Sequence, residues 1–217
     1  MNKKEKIAIL IIGIILIGAV SYIIINPASD DKKININLEM FEVSHKNDDA
    51  RTFTVELNEQ GYQNEDGDEW NTYNQINPTY SFGIRLINVT IPKNATILGC
   101  YAELYSIGTP GHSHPNCKIY FDKVADAKRF NKTLGALNIS GRIYTENYTI
   151  WNETVGYQEW VKTPSLKMQM QEIVNQKNWT KGNSVAVLFV SQKLRGYIST
   201  FQNYELGYAS RLYVKWE

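Results

Sequence analysis

The chain has 217 residues with a formal net charge of +1, which allows one domain of ordinary size beside a membrane segment. Its 23 Lys and Arg balance 22 Asp and Glu, and the pI is about 7.7. There is no basic stripe to hold phosphate, and this excludes a nucleic-acid binder. Fourteen Tyr and five Trp favour pleated, half-buried β structure.

Lys3, Lys4 and Lys6 precede an uncharged run from Ile7 to Ile25, broken by Asn26-Pro27. At about 1.5 Å per residue such a helix spans roughly 28 Å, close to a bilayer's hydrocarbon thickness. Residues 1–26 are therefore expected to be a single membrane anchor, or an uncleaved signal. The positive-inside bias leaves the lysines in the cytoplasm and the remainder of the chain outside. A cleaved signal peptide is the competing reading, but its apolar core would be shorter, and Ile25-Asn26-Pro27-Ala28 is a poor small-x-small exit. Residues 27–33 read as a polar linker and 34–217 as the exported domain.

Within that domain, short alternating or continuous apolar segments are separated by turn residues. Strands are predicted near Ile34–Val43, Arg51–Leu57, Tyr80–Ile91, Ala95–Ser106, Lys118–Lys123, Ile139–Thr145, Tyr157–Val161, Ser184–Ser191, Tyr197–Asn203 and Ser210–Trp216. Val185 to Val190 is apolar on both faces and reads as a central, doubly covered strand. The first strand alternates cleanly and reads as an edge strand, or as an arm that pairs with a neighbour. Thr163-Pro164-Ser165 places an N-cap residue before a first-turn proline, and Leu166, Met170, Ile173 and Val174 fall on one helical face. The expected fold is all-β: a jelly-roll-like β-sandwich with one short helix, behind a single N-terminal transmembrane helix.

Asn-X-Ser/Thr acceptors begin at Asn88, Asn94, Asn131, Asn138, Asn147, Asn152 and Asn178, more than composition gives by chance, and agree with export. The two cysteines, Cys100 and Cys117, form a disulfide candidate: strands joined through the Pro/Gly/His loop between them would bring them together as a hairpin. The alternative is two unrelated buried thiols. Asn64, Asp66 and Asp68 set oxygen ligands at alternating positions, and Asp48-Asp49 is a second acidic pair. Either could hold Ca²⁺; the favoured reading of the first is a solvated acidic hairpin tip, and the alternative for Asp48-Asp49 is turn formation through Asx bonding. No cofactor is required by any motif.

Several of these segments, in order, resemble one family. The stretches are Asp48-Asp49-Ala50, Phe82-Gly83-Ile84-Arg85-Leu86, and Val89-Thr90-Ile91-Pro92-Lys93-Asn94-Ala95-Thr96-Ile97. Later come Ile139-Ser140-Gly141-Arg142, Trp151, Thr163-Pro164-Ser165-Leu166 and Trp179-Thr180-Lys181-Gly182-Asn183. From about Val43 to the C-terminus the chain resembles the exported β-sandwich modules called DNRLRE-type or disaggregatase-related carbohydrate-binding modules, found in archaea, bacteria and phages. Asn94 stands where that family usually has Gly. The resemblance implies a jelly-roll-like fold and a binding or adhesive role without a catalytic constellation, and it places Trp151 and Trp179 in the core. The domain is expected to stand alone behind a membrane segment, a departure from the family that would favour a surface or appendage protein over an accessory module of an enzyme.

Sugar recognition needs aromatic faces beside polar groups. Trp70, Tyr73 and Tyr80 lie in polar, turn-rich sequence and are the ligand-binding candidates; Trp160 borders a sequon-rich stretch. No nucleophile elbow, phosphate loop or zinc-protease motif occurs, and the chain is expected not to be an enzyme. The expected function is a glycosylated cell-surface binding module for polysaccharide or another envelope polymer. The alternative is a self-associating structural component of a cell surface, filament or virion, archaeal, bacterial or viral in origin.

Overall fold

The computed structural model describes residues 35–44, 48–54, 61–64, 79–106, 114–130, 139–153, 156, 158–195 and 207–217. The expected anchor and linker, 1–33, lie outside them, as does the strand predicted at 197–203. Among the described residues no helix is long and apolar enough to cross a membrane.

Among the described residues ten strands form two antiparallel sheets. The strands are β1 (Asn37–Glu42), β2 (Asp49–Thr54), β3 (Gly61–Asn64), β4 (Thr79–Leu86), β5 (Ile97–Ser106), β6 (His114–Phe121), β7 (Thr149–Trp151), β8 (Glu159–Lys162), β9 (Val185–Arg195) and β10 (Arg211–Trp216). One sheet has the order β1-β10-β5-β8 and the other β3-β2-β4-β9-β6-β7. The chain passes repeatedly from sheet to sheet, so sequence neighbours such as β4 and β5 face each other across the core. The described residues form a β-sandwich with one α-helix.

Alternation builds the layers. In β5, Cys100, Ala102 and Leu104 point inward and are essentially fully buried, and Leu212 and Val214 of β10 do the same. They meet Ile84 and Leu86 of β4, Val187 and Phe189 of β9, and Ile119 and Phe121 of β6. Trp151 and Trp179 are each 1% exposed, as core positions should be, and Trp179 Nε1 donates to the Ile91 carbonyl at 3.0 Å.

The central strand is covered twice, as its sequence predicts. Val185, Val187 and Phe189 enter the main core, while Ala186 and Leu188 enter a second one on the opposite face, with Ala127, Phe130 and Ile139. That second core lies under residues 122–130 and 139–145. Where the sequence predicts a strand, Ile139–Thr145, the chain makes a 3-10 turn at Ile139–Gly141 and a single bridge, Asp122 to Tyr144. Ile139, Arg142 and Thr145 are buried at every third position, the spacing of a segment arching over a sheet rather than lying in one.

Gly83 of β4 sits where this arch presses closest. A Cβ there would lie 2.7 Å from Phe130 Cζ and 3.3 Å from Leu188 Cδ2. Gly83→Ala should therefore displace the Phe130 ring and cost about 1–3 kcal/mol by overpacking. A urea titration reads it directly, and an unchanged midpoint would show that the arch yields freely.

The helix α1 (Lys167–Val174) packs against β5 and β6, burying Gln169, Met170, Ile173 and Val174. It begins later than the sequence predicts, with Leu166 as N-cap. Thr163 prolongs the pairing of β8 with β5 instead: its hydroxyl accepts from the Ala102 amide at 3.0 Å, and its own amide donates to the Ala102 carbonyl. Gln171 completes the start of β5, accepting from the Ile97 amide and donating to the Ala95 carbonyl, each at 2.9 Å.

The cysteines correct the hairpin expectation. β5 and β6 belong to opposite sheets, and Cys100 and Cys117 are both buried, unbridged thiols. Packed sheets stand about 10 Å apart, whereas bridged cysteines hold their Cα atoms within about 7 Å. Burial pushes the Cys117 thiol up to about 12 and Cys100 higher still. Neither should react with iodoacetamide at pH 8 in the native protein, since the thiolate is the nucleophile. Both should alkylate after denaturation without reductant; a denatured chain with no free thiol would contradict the structure.

Candidate functional site

The outer face of the four-stranded sheet carries a cluster of aromatic side chains. It arises from the alternation that builds the core: between inward Cys100, Ala102 and Leu104 lie outward Tyr101, Glu103 and Tyr105. Likewise Arg211 and Tyr213 flank inward Leu212 on β10, Trp160 and Lys162 flank inward Val161 on β8, and Met40 and Glu42 flank inward Phe41 on β1.

Register sorts these side chains into bands across the sheet. Tyr105 lies opposite Trp160. The next band runs Glu42, Arg211, Glu103, Lys162. A third band runs Met40, Tyr213, Tyr101. An ionic band is thus enclosed by two aromatic ones.

Neighbouring rings are interlocked. Tyr105 stacks on Tyr208 at 3.9 Å between centroids and meets Trp160 nearly edge-on at 5.5 Å. Tyr101 stacks on Tyr213 at 5.0 Å. The Arg211 guanidinium lies 4.2 Å over Trp160 while its Nε donates to Glu42 at 2.8 Å. Lys162 Nζ stands 5.1 Å over Tyr101 and 3.6 Å from Glu103. Tyr213 is held above the usual phenol range by partial burial and then by its hydrogen bond to Glu103. Such cross-strand pairs hold the rings and charges of the face in fixed positions relative to one another.

At the rim, Gln158 adopts φ 52°, a left-handed conformation that L side chains rarely take, and its carbonyl accepts from the Tyr105 hydroxyl at 3.0 Å. This holds the start of β8 against the aromatic band.

The sequence-predicted sites fall elsewhere. Trp70, Tyr73, Asp66 and Asp68 lie outside the described residues, and Tyr80 lies in β4 opposite Phe53. Asp49 and Asn64 belong to β2 and β3. Asp48 is fully buried, and its Oδ1 accepts from Arg85 Nη1 at 2.6 Å. Arg85 also donates to the Ala127 carbonyl and to Ser184 Oγ, so this carboxylate ties the arch to the sheet. Among the described residues no group of three His, Cys, Asp or Glu gathers to hold a metal.

Five acceptor asparagines are described, and all five are exposed: Asn88, Asn94, Asn147, Asn152 and Asn178. Asn131 and Asn138 lie outside the described residues. Asn88 and Asn94 occupy the connection before β5, Asn147 and Asn152 bracket β7, and Asn178 follows α1. No sequon falls in β1, β5, β8 or β10.

The sequence pointed to Trp160 only as a neighbour of sequons. The usable signal was the partner residues: aromatic or charged side chains alternating with small or aliphatic ones in four separate strands.

Comparison with family models gives no match to this chain, and comparison with curated protein sequences gives none either.

Proposed function

We propose that this chain is a membrane-anchored, N-glycosylated cell-surface binding module for polysaccharide or another envelope polymer, and that its recognition face is the outer surface of the β1-β10-β5-β8 sheet. The observation that carries this reading is the ordered aromatic and ionic face whose four strands hold no sequon, while the described acceptor asparagines are exposed elsewhere. Glycans at those positions would cover other surfaces and leave this one open. Rigid Tyr, Trp and Arg are the side chains that contribute most at recognition surfaces, because they bury much area at little entropic cost. The proposed role is binding rather than catalysis.

The orientation supports the reading. β1 starts at Asn37, beside Trp216, and runs toward the ionic band at Glu42. The Tyr105–Trp160 band lies beyond it, roughly 25 Å from that end of β5 at 3.3 Å per residue. An anchor preceding β1 would leave the aromatic band at the membrane-distal end of the face.

Strand order also supports reading the sandwich as a jelly roll: β1-β10-β5-β8 faces β4-β9-β6-β7, with β2 and β3 added at one edge. Asn94, at φ 59°, holds the left-handed conformation that a glycine adopts without strain, in keeping with the family's usual Gly at that place.

A structural role is the second reading, favoured by one observation. β1 is an edge strand in which Leu38 is 36% exposed, with Ile36 just before it 41% exposed, an open template for pairing with a neighbour. The full-length chain, solubilised in a detergent without a sugar headgroup, separates the two on immobilised envelope polysaccharides and a sizing column. Saturable retention of a monomer is the expected result. Self-association without retention on any polymer would overturn the binding reading in favour of the structural one.

A further inference from the structure

The ionic band narrows the ligand. We infer that the face takes a neutral polyhydroxylated polymer and discriminates against acidic ones, with Glu42 and Glu103 as the specificity-determining residues; this rests on the binding face proposed above.

Each cation on the band is already engaged twice. Arg211 is paired with Glu42 and lies over Trp160, and Lys162 is paired with Glu103 and lies over Tyr101. The two carboxylates and two cations cancel. An incoming carboxylate or sulfate that approached Arg211 would meet the Glu42 carboxylate 2.8 Å from its Nε, and attraction to the first would be offset by repulsion from the second. A cationic polymer meets the converse. Uncharged hydroxyls meet neither penalty. They find donors and acceptors set between ring systems, the arrangement that suits a chain of sugars with alternating apolar and polar faces. Lys215 adds one cation on β10, in register with Gly99 of β5 and apart from the paired band.

The test compares retention of the full-length chain in gels of a neutral glucan, a neutral mannan and an acidic uronate polymer, at low and high salt. Retention by a neutral gel that changes less than twofold with salt is expected, because no counterions are released. Glu42→Gln and Glu103→Gln each free a cation. Either variant, with its melting temperature checked, should gain at least threefold retention by the acidic gel, and that gain should disappear in high salt. Salt-sensitive retention of the wild type by the acidic gel overturns the neutral-ligand inference alone. Failure of both variants to gain acidic retention while melting normally also overturns it, because the carboxylates would then not set the selectivity. No retention by any gel overturns the underlying binding reading as well.

Discussion

Trp160→Ala should weaken polymer binding by roughly thirty-fold, about 2 kcal/mol, the loss typical of a central aromatic anchor. Trp160 joins the two halves of the face. It meets Tyr105 of one aromatic band and supports the Arg211 guanidinium of the ionic band. Removing the indole takes away a ring surface and also releases Arg211 from its stacked position, so the pre-ordering of the band is lost with the contact. The fold should barely respond. Trp160 is only half-buried on the outer side of the sheet, and lost ring and cation–π contacts there are worth about 1 kcal/mol together. Trp160→Phe should recover most of the affinity, and Tyr148→Ala, on the six-stranded sheet's side, should leave it unchanged. Equilibrium binding to a soluble glucan fragment beside a thermal melt checks the set. Equal affinity for wild type and Trp160→Ala would remove this face from recognition.

Arg142→Met should be the most damaging single change to stability. The Arg142 and Asp122 side chains are 2% and 6% exposed, and Nη1 donates to the Asp122 carboxylate. Arg142 Nη2 also donates to the Lys128 carbonyl at 2.8 Å, and its guanidinium lies 4.2 Å over Phe130. Truncating it strands a buried carboxylate, at a cost of about 3–5 kcal/mol. For a domain of this size that corresponds to a fall of roughly 6–20 °C in melting temperature.

The defect should depend on pH. Burial raises Asp122 above the ordinary carboxylate range against the opposing pull of Arg142, so the folded state holds this proton more firmly than the unfolded chain. Stability from this group is therefore greatest below the unfolded value and falls as pH rises through the folded one. Without Arg142 that slope should steepen, and the variant should lie closer to wild type near pH 4 than at pH 8. Pairing Arg142→Met with Asp122→Leu should restore much of the loss, since a well-packed apolar pair avoids both desolvation penalties. Melts at the two pH values measure all of this, and equal defects at both would show that the Asp122 charge is not what the arch must solvate.

Much of the scaffold was legible in the sequence because it follows from periodicity. Leu166, Met170, Ile173 and Val174 announced the helix, and the unbroken run from Val185 announced a strand covered on both faces. Partner choice was not legible. Alternation tells which residues of β5 and β6 turn inward, but not that these strands lie in opposite sheets, and so the expected Cys100–Cys117 hairpin did not survive. In the arch over 139–145, Ile143, Tyr144 and Thr145 are good β formers and predict a strand; the burial of Arg142 against Asp122 and Phe130 overrides that preference. The aromatic face was hidden for a related reason. Tyr101, Tyr105, Trp160, Tyr208 and Tyr213 are scattered along the chain, and only antiparallel register gathers them. Trp70 and Tyr73 stand in polar, turn-rich sequence, which is the local signal of exposure.

Hydroxyl-radical footprinting of the full-length chain, with and without a neutral polysaccharide, tests the central claim most directly. Trp160, Tyr101, Tyr105, Tyr208 and Tyr213 should lose reactivity together in the bound state, while exposed Tyr148 and Ile150 on the other sheet keep theirs. Protection of Tyr148 and Ile150 with the Trp160 face unchanged would contradict the assignment and move recognition to the opposite side of the sandwich.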